Sequence, residues 1–342
     1  MTSKNSVLLI YTGGTIGMIE DVKTHQLKPF DFTHLTDQIP ELKKLGASLS
    51  TISFEHPIDS SNMHPDIWVK LAKLIEKNYD QYDGFVILHG SDTMAFTASA
   101  LSFMLENLSK PVILTGSQLP IGIMRTDGKE NLVTAIEIAS ASKNNKPIVS
   151  EVCIYFEYKL YRGNRTHKFN AAQFNAFQSP NYPPLAEAGV QLNFNQSALA
   201  KSSNKKLKVH VRLNTNIAVL KIFPGITKNV VNAILNAKGL KGVILETFGS
   251  GNASTEKWFI DSLKKAISKG TVILNVSQCS AGKVQQGKYE TSALLKKIGV
   301  IGGADITTEA AVTKMMFLLE KKISTTQLKS ALEKSLSGEI TL

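Results

Sequence analysis

Residues 84–93 are Gly-Phe-Val-Ile-Leu-His-Gly-Ser-Asp-Thr, a continuous apolar run that ends in a short polar turn. The same unit occurs at residues 7–15, where Val7–Tyr11 is followed by Thr-Gly-Gly-Thr, and at residues 111–117. Further apolar runs occupy residues 152–156, 217–223, 243–245 and 272–276, with longer amphipathic segments between them. Apolar runs that alternate with helical segments are typical of a parallel sheet covered by helices on both faces. The sequence therefore predicts an α/β fold.

Length and composition predict two domains. The chain has 342 residues, of which 43% are hydrophobic and 20% charged, and this is enough for two cores. Residues 178–208 are rich in Pro, Asn, Ser and Lys and lack periodicity, which indicates a connection. We expect a larger N-terminal α/β domain with a mostly parallel sheet at residues 1–190. A linker at 191–210 and a smaller C-terminal α/β domain at 211–342 follow.

The charge and the apolar pattern bear on partners and location. The net charge is +11, but the lysines stand in scattered pairs without a recognition module, which favours a solvated surface over nucleic-acid binding. No apolar stretch approaches the roughly 20 residues of a membrane span, and the residues before Val7 are too few for a signal-peptide core. Cys153 and Cys279 lie far apart, as expected of thiols in a reducing compartment. We expect a cytoplasmic protein that binds neither membranes nor nucleic acids.

The ends of the predicted strands carry the candidate chemistry, because ligands of open parallel sheets bind beyond the carboxyl ends of the strands. The spacings G-x-G-x-x-G and G-K-[ST] are absent, which argues against a nucleotide site. The seven histidines form no H-x-x-x-H, and neither C-x-x-C nor G-x-S-x-G occurs, so no metal site or serine-hydrolase elbow is predicted. What remains is a set of hydroxyls and one carboxylate suited to a small polar ligand: Thr12, Thr15, Ser91, Asp92, Thr93, Thr115 and Ser117.

Two segments are more specific than these residue types. Residues 11–18, Tyr-Thr-Gly-Gly-Thr-Ile-Gly-Met, and residues 84–95 resemble, in this order, the two signatures of the L-asparaginases, most closely the cytoplasmic bacterial type I branch. The resemblance covers essentially the whole chain through residues 59–63, 110–120, 160–166, 188–189, 249–253 and 300–305. It implies hydrolysis of L-asparagine to L-aspartate and ammonia without cofactor or metal, with L-glutamine a poorer substrate.

The resemblance also implies catalytic roles. Thr15 matches the nucleophilic threonine, and Ser91, Asp92 and Lys168 match the other catalytic positions. An alcohol needs a base to become a nucleophile at neutral pH. A lysine serves as that base only if its pKa falls from about 10.4, which burial favours and a nearby carboxylate opposes. Taken singly, Thr15, Ser91 and Asp92 are more typical of turns and helix caps, and Lys168 of a surface.

Substrate-binding residues are implied in the same way. Asp92 matches the partner of the substrate's α-ammonium group. Ser60 and Ser61, with Asp59 beside them, match the segment that holds the α-carboxylate. We also place Ser117 in this set, together with the glycine-rich turns at Gly14 and Gly90, whose backbone N–H groups are candidates for binding an oxyanion.

Three departures from the family pattern qualify these expectations. Ser91 replaces a threonine, so the hydroxyl is kept without the methyl that stiffens its rotamer. Residues 18–30 lack the tyrosine that assists the nucleophile in the family, and Leu27 and His25 stand near its place. A regulatory asparagine site of some members has a threonine, an arginine and a cysteine where this chain has His167, Glu246 and Cys279, and an acid there repels a carboxylate. Weak or absent cooperativity is expected.

Assembly and the competing functions complete the prediction. The resemblance implies a homotetramer, built as a dimer of dimers, that binds L-asparagine or L-aspartate. One alternative is a component of a tRNA-dependent amidotransferase, which shares this fold and which the positive charge favours. Such components carry an additional domain before the first signature, whereas that signature begins here at residue 11. A second alternative is a non-catalytic amino-acid sensor.

Overall fold

The computed structural model describes residues 5–20, 27–29, 39–288 and 290–341. The described chain divides into two compact units. The first holds the residues up to Ser179 together with Pro183–Val211, and the second holds Pro180–Tyr182 and the residues from Arg212 onwards. The predicted α/β fold, with a larger mostly parallel sheet and a separate smaller parallel sheet, is confirmed.

The first unit is built on an eight-stranded sheet. Its strands are β1 (Ser6–Tyr11), β2 (Ser48–Ser53), β3 (Gly84–Leu88), β4 (Val112–Thr115), β5 (Val152–Phe156), β6 (Lys159–Arg162), β7 (Ala186–Ala188) and β8 (Leu192–Phe194). Their order across the sheet is β8-β7-β6-β5-β4-β3-β1-β2. The strands from β2 to β5 in this order are parallel, and β6 to β8 extend the sheet in antiparallel pairs.

Burial explains which of these strands the sequence could predict. Every residue of β3, β4 and β5 is buried, which accounts for their largely apolar sequences.

The helices of this unit are α1 (Pro65–Asn78), α2 (Met94–Met104) and α3 (Gly128–Ser140). Short 3₁₀ turns cover Thr15–Gly17, Pro40–Leu45, Ser60–Asn62, Ser91–Thr93 and Gly163–Arg165.

The predicted linker differs from the structure. Within residues 191–210, strand β8 pairs with β7, and the two-residue strand Lys208–Val209 pairs with Leu105–Glu106. Residues 183–211 therefore complete the sheet and the fold of the first unit. Strands of two or three residues are too short for a recognisable alternation of apolar and polar residues, so the sequence resembles a connection here.

Strand order places the candidate residues at a crevice. From β1 the chain moves outward to β2, and then returns to form β3 on the other side of β1. The order of the strands thus reverses between β1 and β3, which is where open α/β sheets bind ligands. The polar turns of the two segments that carry the family resemblance follow β1 and β3 directly.

The second unit has a four-stranded parallel sheet in the order β9-β10-β11-β12, formed by Ile217–Lys221, Gly242–Thr247, Val272–Ser277 and Ile301–Gly302. Its helices are α4 (Lys228–Leu235), α5 (Lys257–Ser268), α6 (Glu290–Ile298), α7 (Thr308–Leu319) and α8 (Thr325–Glu333). A fully buried ion pair joins Lys314 Nζ of α7 to Glu339 Oε1 at 2.7 Å. Among the helices of the described residues, none has the length and apolarity needed to cross a membrane.

Candidate active site

The turn after β1 is fastened to the end of β3. Thr12 donates two hydrogen bonds to the carbonyl oxygen of Leu88, from its N at 3.0 Å and its Oγ1 at 2.9 Å. Leu88 is the last residue of β3, so the turn that carries Thr15 lies beside the turn that carries Ser91 and Asp92. Thr15 is half-buried and begins the 3₁₀ turn Thr15–Gly17.

Three backbone segments meet at Gly90. Gly14 has a φ of 90°, and a Cβ added to it would lie 2.5 Å from the Gly90 nitrogen. A Cβ on Gly90 would in turn lie 2.6 Å from the Ser60 hydroxyl oxygen. Only glycine fits at both positions, because any side chain would push the segments apart. The two signature segments and the residue 59–61 segment, which the sequence predicts to share one site, are therefore in direct contact at one point.

The segment at residues 59–61 forms a compact turn. Asp59 Oδ1 accepts hydrogen bonds from the backbone N of Ser61 at 2.9 Å and from its Oγ at 2.8 Å. Both hydrogen bonds lower the pKa of Asp59 below its ordinary value, and the bond from the backbone N has the larger effect. Ser60 is buried, and its carbonyl oxygen accepts a hydrogen bond from Thr93 Oγ1 at 2.7 Å. The turn is thus tied directly to the Ser91–Thr93 turn.

Lys168 reaches the same place from a distant part of the chain. It lies in the two-residue strand His167–Lys168, which pairs with Phe177–Gln178. Its Nζ lies 2.8 Å from Ser91 Oγ and 2.8 Å from Asp92 Oδ1. The lysine side chain is 15% exposed and the Asp92 side chain 64% exposed, so the carboxylate faces solvent while the ammonium group is largely covered. Ser91, Asp92 and Lys168 therefore form one cluster.

Gln118 supports this cluster, although no sequence pattern gave it a role. Its Oε1 lies 3.4 Å from Ser91 Oγ, and its Nε2 donates to the carbonyl oxygen of Gln173 at 2.9 Å. The carboxylate of Asp127 fixes the Gln118 backbone by accepting from its N at 2.9 Å. Ser117, predicted to bind substrate, is buried and donates its hydroxyl to the Leu119 carbonyl oxygen at 2.5 Å. Gln118 is the next residue after Thr115-Gly116-Ser117, a strand end at which the sequence predicted candidate site residues.

The arrangement offers complementary groups to a small zwitterion. An exposed carboxylate attracts an ammonium group, and serine hydroxyls and turn N–H groups bind a carboxylate. Lys168, in contact with a hydroxyl, can hold or move a proton at Ser91 Oγ. Among the residues that the structure describes, no group of three or more His, Cys, Asp and Glu side chains is placed to hold a metal ion.

The segment after Thr15 is described in part. Strands Met18–Glu20 and Leu27–Pro29 pair in antiparallel fashion, with Leu27 opposite Glu20. His25, which the sequence placed near the missing tyrosine, lies outside the described residues.

The resemblance matched His167, Glu246 and Cys279 to a regulatory site of some members, and these residues belong to different units. His167 belongs to the first unit, where its Nε2 lies 3.0 Å from Gln178 Nε2, and burial lowers its pKa. Glu246 is in β10 of the second unit, is 9% exposed, and accepts a hydrogen bond from Thr308 Oγ1 at 2.7 Å. Cys279 is an exposed free thiol just after β11. Glu246 is thus already engaged within its own unit.

Comparison with known protein families matches both units of the chain. The family described as "Asparaginase, N-terminal" matches residues 6–200, and the "Glutaminase/Asparaginase C-terminal domain" matches residues 216–332. The two matches together cover most of the chain.

Individual proteins resemble the chain over nearly its whole length. It is 44% identical over 339 residues to L-asparaginase 1 of Escherichia coli K12, covering 99% of this chain and 98% of that protein. The crystal structure of L-asparaginase I from Vibrio cholerae superposes with a TM-score of 0.89 at 38% identity, covering 99% of this chain and 100% of that one. One component of the glutamyl-tRNA(Gln) amidotransferase of Pyrococcus abyssi is 32% identical, and the match covers 98% of this chain and 76% of that protein.

Proposed function

We propose, because this chain belongs to the asparaginase family, that it hydrolyses the side-chain amide of L-asparagine to L-aspartate and ammonia. Membership of the family makes it an amidohydrolase. Its 44% identity to L-asparaginase 1 along nearly the full length supports asparagine as the substrate. The observation that carries the proposal is the cluster in which Lys168 Nζ contacts Ser91 Oγ and Asp92 Oδ1, both at 2.8 Å.

The two charged ends of free asparagine have separate binding places in this proposal. The Asp92 carboxylate receives the α-ammonium group, since it is the exposed anion of the cluster. Ser60 receives the α-carboxylate through its hydroxyl and its own backbone N–H. The resemblance matched Ser61 to the α-carboxylate, but Ser61 gives both of its donors to Asp59. Its hydroxyl therefore presents lone pairs and in this proposal suits the ammonium side of the substrate instead.

Substrate binding also affects Lys168 in this scheme. Asp92 Oδ1 holds Lys168 Nζ at 2.8 Å before substrate arrives. A bound α-ammonium group shares the same carboxylate, and its charge repels the lysine ammonium. Both effects weaken the hold of Asp92 on the Lys168 ammonium group. The lysine is therefore released toward Ser91 only when an amino acid with a free α-amino group occupies the site.

We assign the chemical steps as follows. Thr15 Oγ attacks the amide carbon, and its proton passes through the Ser91 hydroxyl to neutral Lys168. Backbone N–H groups at Gly14, Gly90 and Ser91 stabilise the negative oxygen that forms on the substrate. The carbon–nitrogen bond breaks as the amide nitrogen takes a proton from Lys168, and ammonia leaves. Water then cleaves the ester, which releases aspartate and restores the Thr15 hydroxyl.

Two alanine variants test which hydroxyl is the nucleophile. Thr15→Ala removes the attacking atom and should abolish turnover, whereas Thr15→Ser should keep measurable turnover because the hydroxyl remains. Ser91→Ala removes only the proton path in this scheme and should lower kcat without abolishing it. Undiminished turnover in Thr15→Ala, with loss in Ser91→Ala, would reverse the two assignments. The contact between Lys168 and Ser91 makes that reversal the specific competing mechanism.

The substrate is tested by ammonia release from the purified protein without RNA or nucleotide. L-Asparagine should be hydrolysed faster than L-glutamine, although one methylene decides no more than about 1–3 kcal/mol. D-Asparagine, which cannot place both charged ends and its side-chain amide at the same time, should be a poor substrate. Release that depends on tRNA and partner proteins would favour an amidotransferase role. Asparagine binding without any release would favour a sensor.

We propose a homotetramer, built as a dimer of dimers, on the family resemblance alone. Light scattering of the purified protein should give about four times the chain mass, and a stable monomer would refute it. We further propose a cytoplasmic location, which the two free thiols at Cys153 and Cys279 support. Fractionation of the source cells tests it.

We also propose that regulation by asparagine is weak or absent. Glu246 presents a carboxylate where the regulatory site of some members has an arginine, and Thr308 already donates to it. A carboxylate there repels the α-carboxylate of a second asparagine. The rate should rise hyperbolically with asparagine concentration, and a Hill coefficient clearly above one would contradict this.

A further inference from the structure

A buried chain of hydrogen bonds lies behind the Gly90–Ser91 turn. Trp68 Nε1 donates to Thr97 Oγ1 at 2.9 Å, and Thr97 Oγ1 lies 2.9 Å from His89 Nε2. His89 Nδ1 lies 2.7 Å from the carbonyl oxygen of Gly90. The His89 and Thr97 side chains are both 0% exposed, and Trp68 is 5% exposed. The chain therefore runs through the protein interior from helix α1, across α2, to the turn at the site.

The direction of every proton in this chain follows from the chemistry of its members. A carbonyl oxygen only accepts, so His89 Nδ1 carries a proton and donates it to Gly90. Burial lowers the pKa of His89 to about 4, so the ring is neutral and its Nε2 accepts. The Thr97 hydroxyl donates to Nε2 and accepts from the indole N–H of Trp68, which only donates. One tautomer of His89 satisfies all three bonds.

The Gly90 carbonyl belongs to the same planar peptide as the Ser91 N–H. The carbonyl oxygen and the amide hydrogen of a trans peptide point in opposite directions within one plane. Anchoring the oxygen at His89 therefore fixes the direction of the Ser91 N–H, one of the donors assigned above to the oxyanion. The same peptide precedes Ser91 Oγ and Asp92, the two groups that Lys168 contacts.

We infer that Trp68, Thr97 and His89 form a relay that orients the Gly90–Ser91 peptide, and that His89 is a positioning residue for the amidohydrolase site. The inference rests on the proposed function, because the oriented peptide matters only if the site carries out the reaction. Gly90 needs such an anchor because it has no side chain of its own, and it lies between Gly14 and Ser60. The anchor comes from the core, where neither water nor substrate competes for it.

The test removes the Thr97 hydroxyl while keeping its shape. In Thr97→Val, His89 Nε2 loses its donor, so the ring is free to carry its proton on Nε2 and release Gly90. We expect kcat for ammonia release from asparagine to fall roughly 10- to 100-fold, since a misplacement of about 1 Å costs about 100-fold. KM should change less than about threefold. Thr97→Ser should restore most of kcat, because it keeps the hydroxyl.

Thr313→Val is the matched control. Thr313 is also a fully buried helical threonine, but its hydroxyl donates to the carbonyl oxygens of Glu309 and Ala310 in its own helix. It should keep parental kcat. If Thr97→Val and Thr313→Val have the same kcat, the relay has no role in catalysis. Trp68→Phe, which removes the indole N–H together with part of the ring, provides a second variant and should lower kcat less than Thr97→Val.

Nitrogen NMR of histidine-labelled protein separates this inference from the proposed function. The shifts of the two ring nitrogens report which one is protonated, whether or not the protein is active. The parent should show neutral His89 with its proton on Nδ1, and Thr97→Val should show the Nε2–H tautomer in at least part of the molecules. A parent with the proton on Nε2 would overturn the relay. An inactive parent with the expected shifts would instead overturn the proposed function.

Discussion

Replacing Gly14 by alanine tests whether the contact between the two signature turns sustains activity. A Cβ at this position would lie 2.5 Å from the Gly90 nitrogen, and ordinary contact begins at 3.4 Å. The two turns would therefore have to separate by about 0.9 Å. A misplacement of about 1 Å in an active site costs about 100-fold in rate, which corresponds to about 2.7 kcal/mol. Backbone strain adds roughly 1–3 kcal/mol to the loss of stability, because Gly14 has a φ of 90°.

The assay is ammonia release from L-asparagine, with kcat and KM determined separately. Gly14→Ala should lose about 100-fold in kcat while its far-ultraviolet circular dichroism stays native. Gly46→Ala is the matched control, because Gly46 also has a positive φ, of 69°, but a Cβ there meets nothing within 4 Å. It should lose about 1 kcal/mol of stability and no activity. A folded Gly14→Ala protein with kcat within twofold of the parent would refute the argument that these turns must touch.

Three further predictions concern other parts of the molecule. Ser91→Thr should keep at least the parental activity, because it preserves the hydroxyl and stiffens its rotamer; a collapse of kcat would show that the two residues are not equivalent here. Burial raises the pKa of Glu309 to about 7, so the folded state binds an extra proton between pH 5 and 7 and loses stability as the pH rises. The free energy of unfolding in urea of Glu309→Gln, relative to that of the parent, should therefore increase as the pH rises from 5 to 8. A difference between the two proteins that does not change with pH would contradict this. Lys314→Met should cost about 3–5 kcal/mol because it leaves the buried carboxylate of Glu339 without its cation, and adding Glu339→Gln should recover part of this loss. Equal stabilities of the single and double variants would refute the pairing.

Sequence predicted the parts of the fold that its local patterns describe. The fully buried strands β3, β4 and β5 have unbroken apolar sequences, and their predicted positions agree with the structure to within a residue or so. Thr227 is a residue type that favours helix starts, and its side chain does cap α4 by accepting from Val230 N. Asp127 is also a typical capping residue and directly precedes α3, but its carboxylate binds the N–H groups of Gln118 and Leu119 instead of capping the helix. The periodicity of a sequence cannot show that N–H groups elsewhere in the fold compete with the helix for this carboxylate.

The site could be predicted only in part. Strand ends and glycines located the turns at Thr15 and Ser91, because the carboxyl edge of a parallel sheet collects such residues. Lys168 lies 77 residues beyond Ser91, so no local pattern could join them, and only the family resemblance did. The support from Gln118 and His89 was missed, because a single glutamine or histidine in a turn carries no signal of its partner.

A crystal structure of the Thr15→Ala variant with bound L-aspartate would test the central claim most directly. The α-ammonium group should lie within hydrogen-bonding distance of Asp92, the α-carboxylate at Ser60, and the side-chain carboxyl beside residue 15. Aspartate bound away from both turns, or bound there with its α-carboxylate against Asp92, would contradict the account.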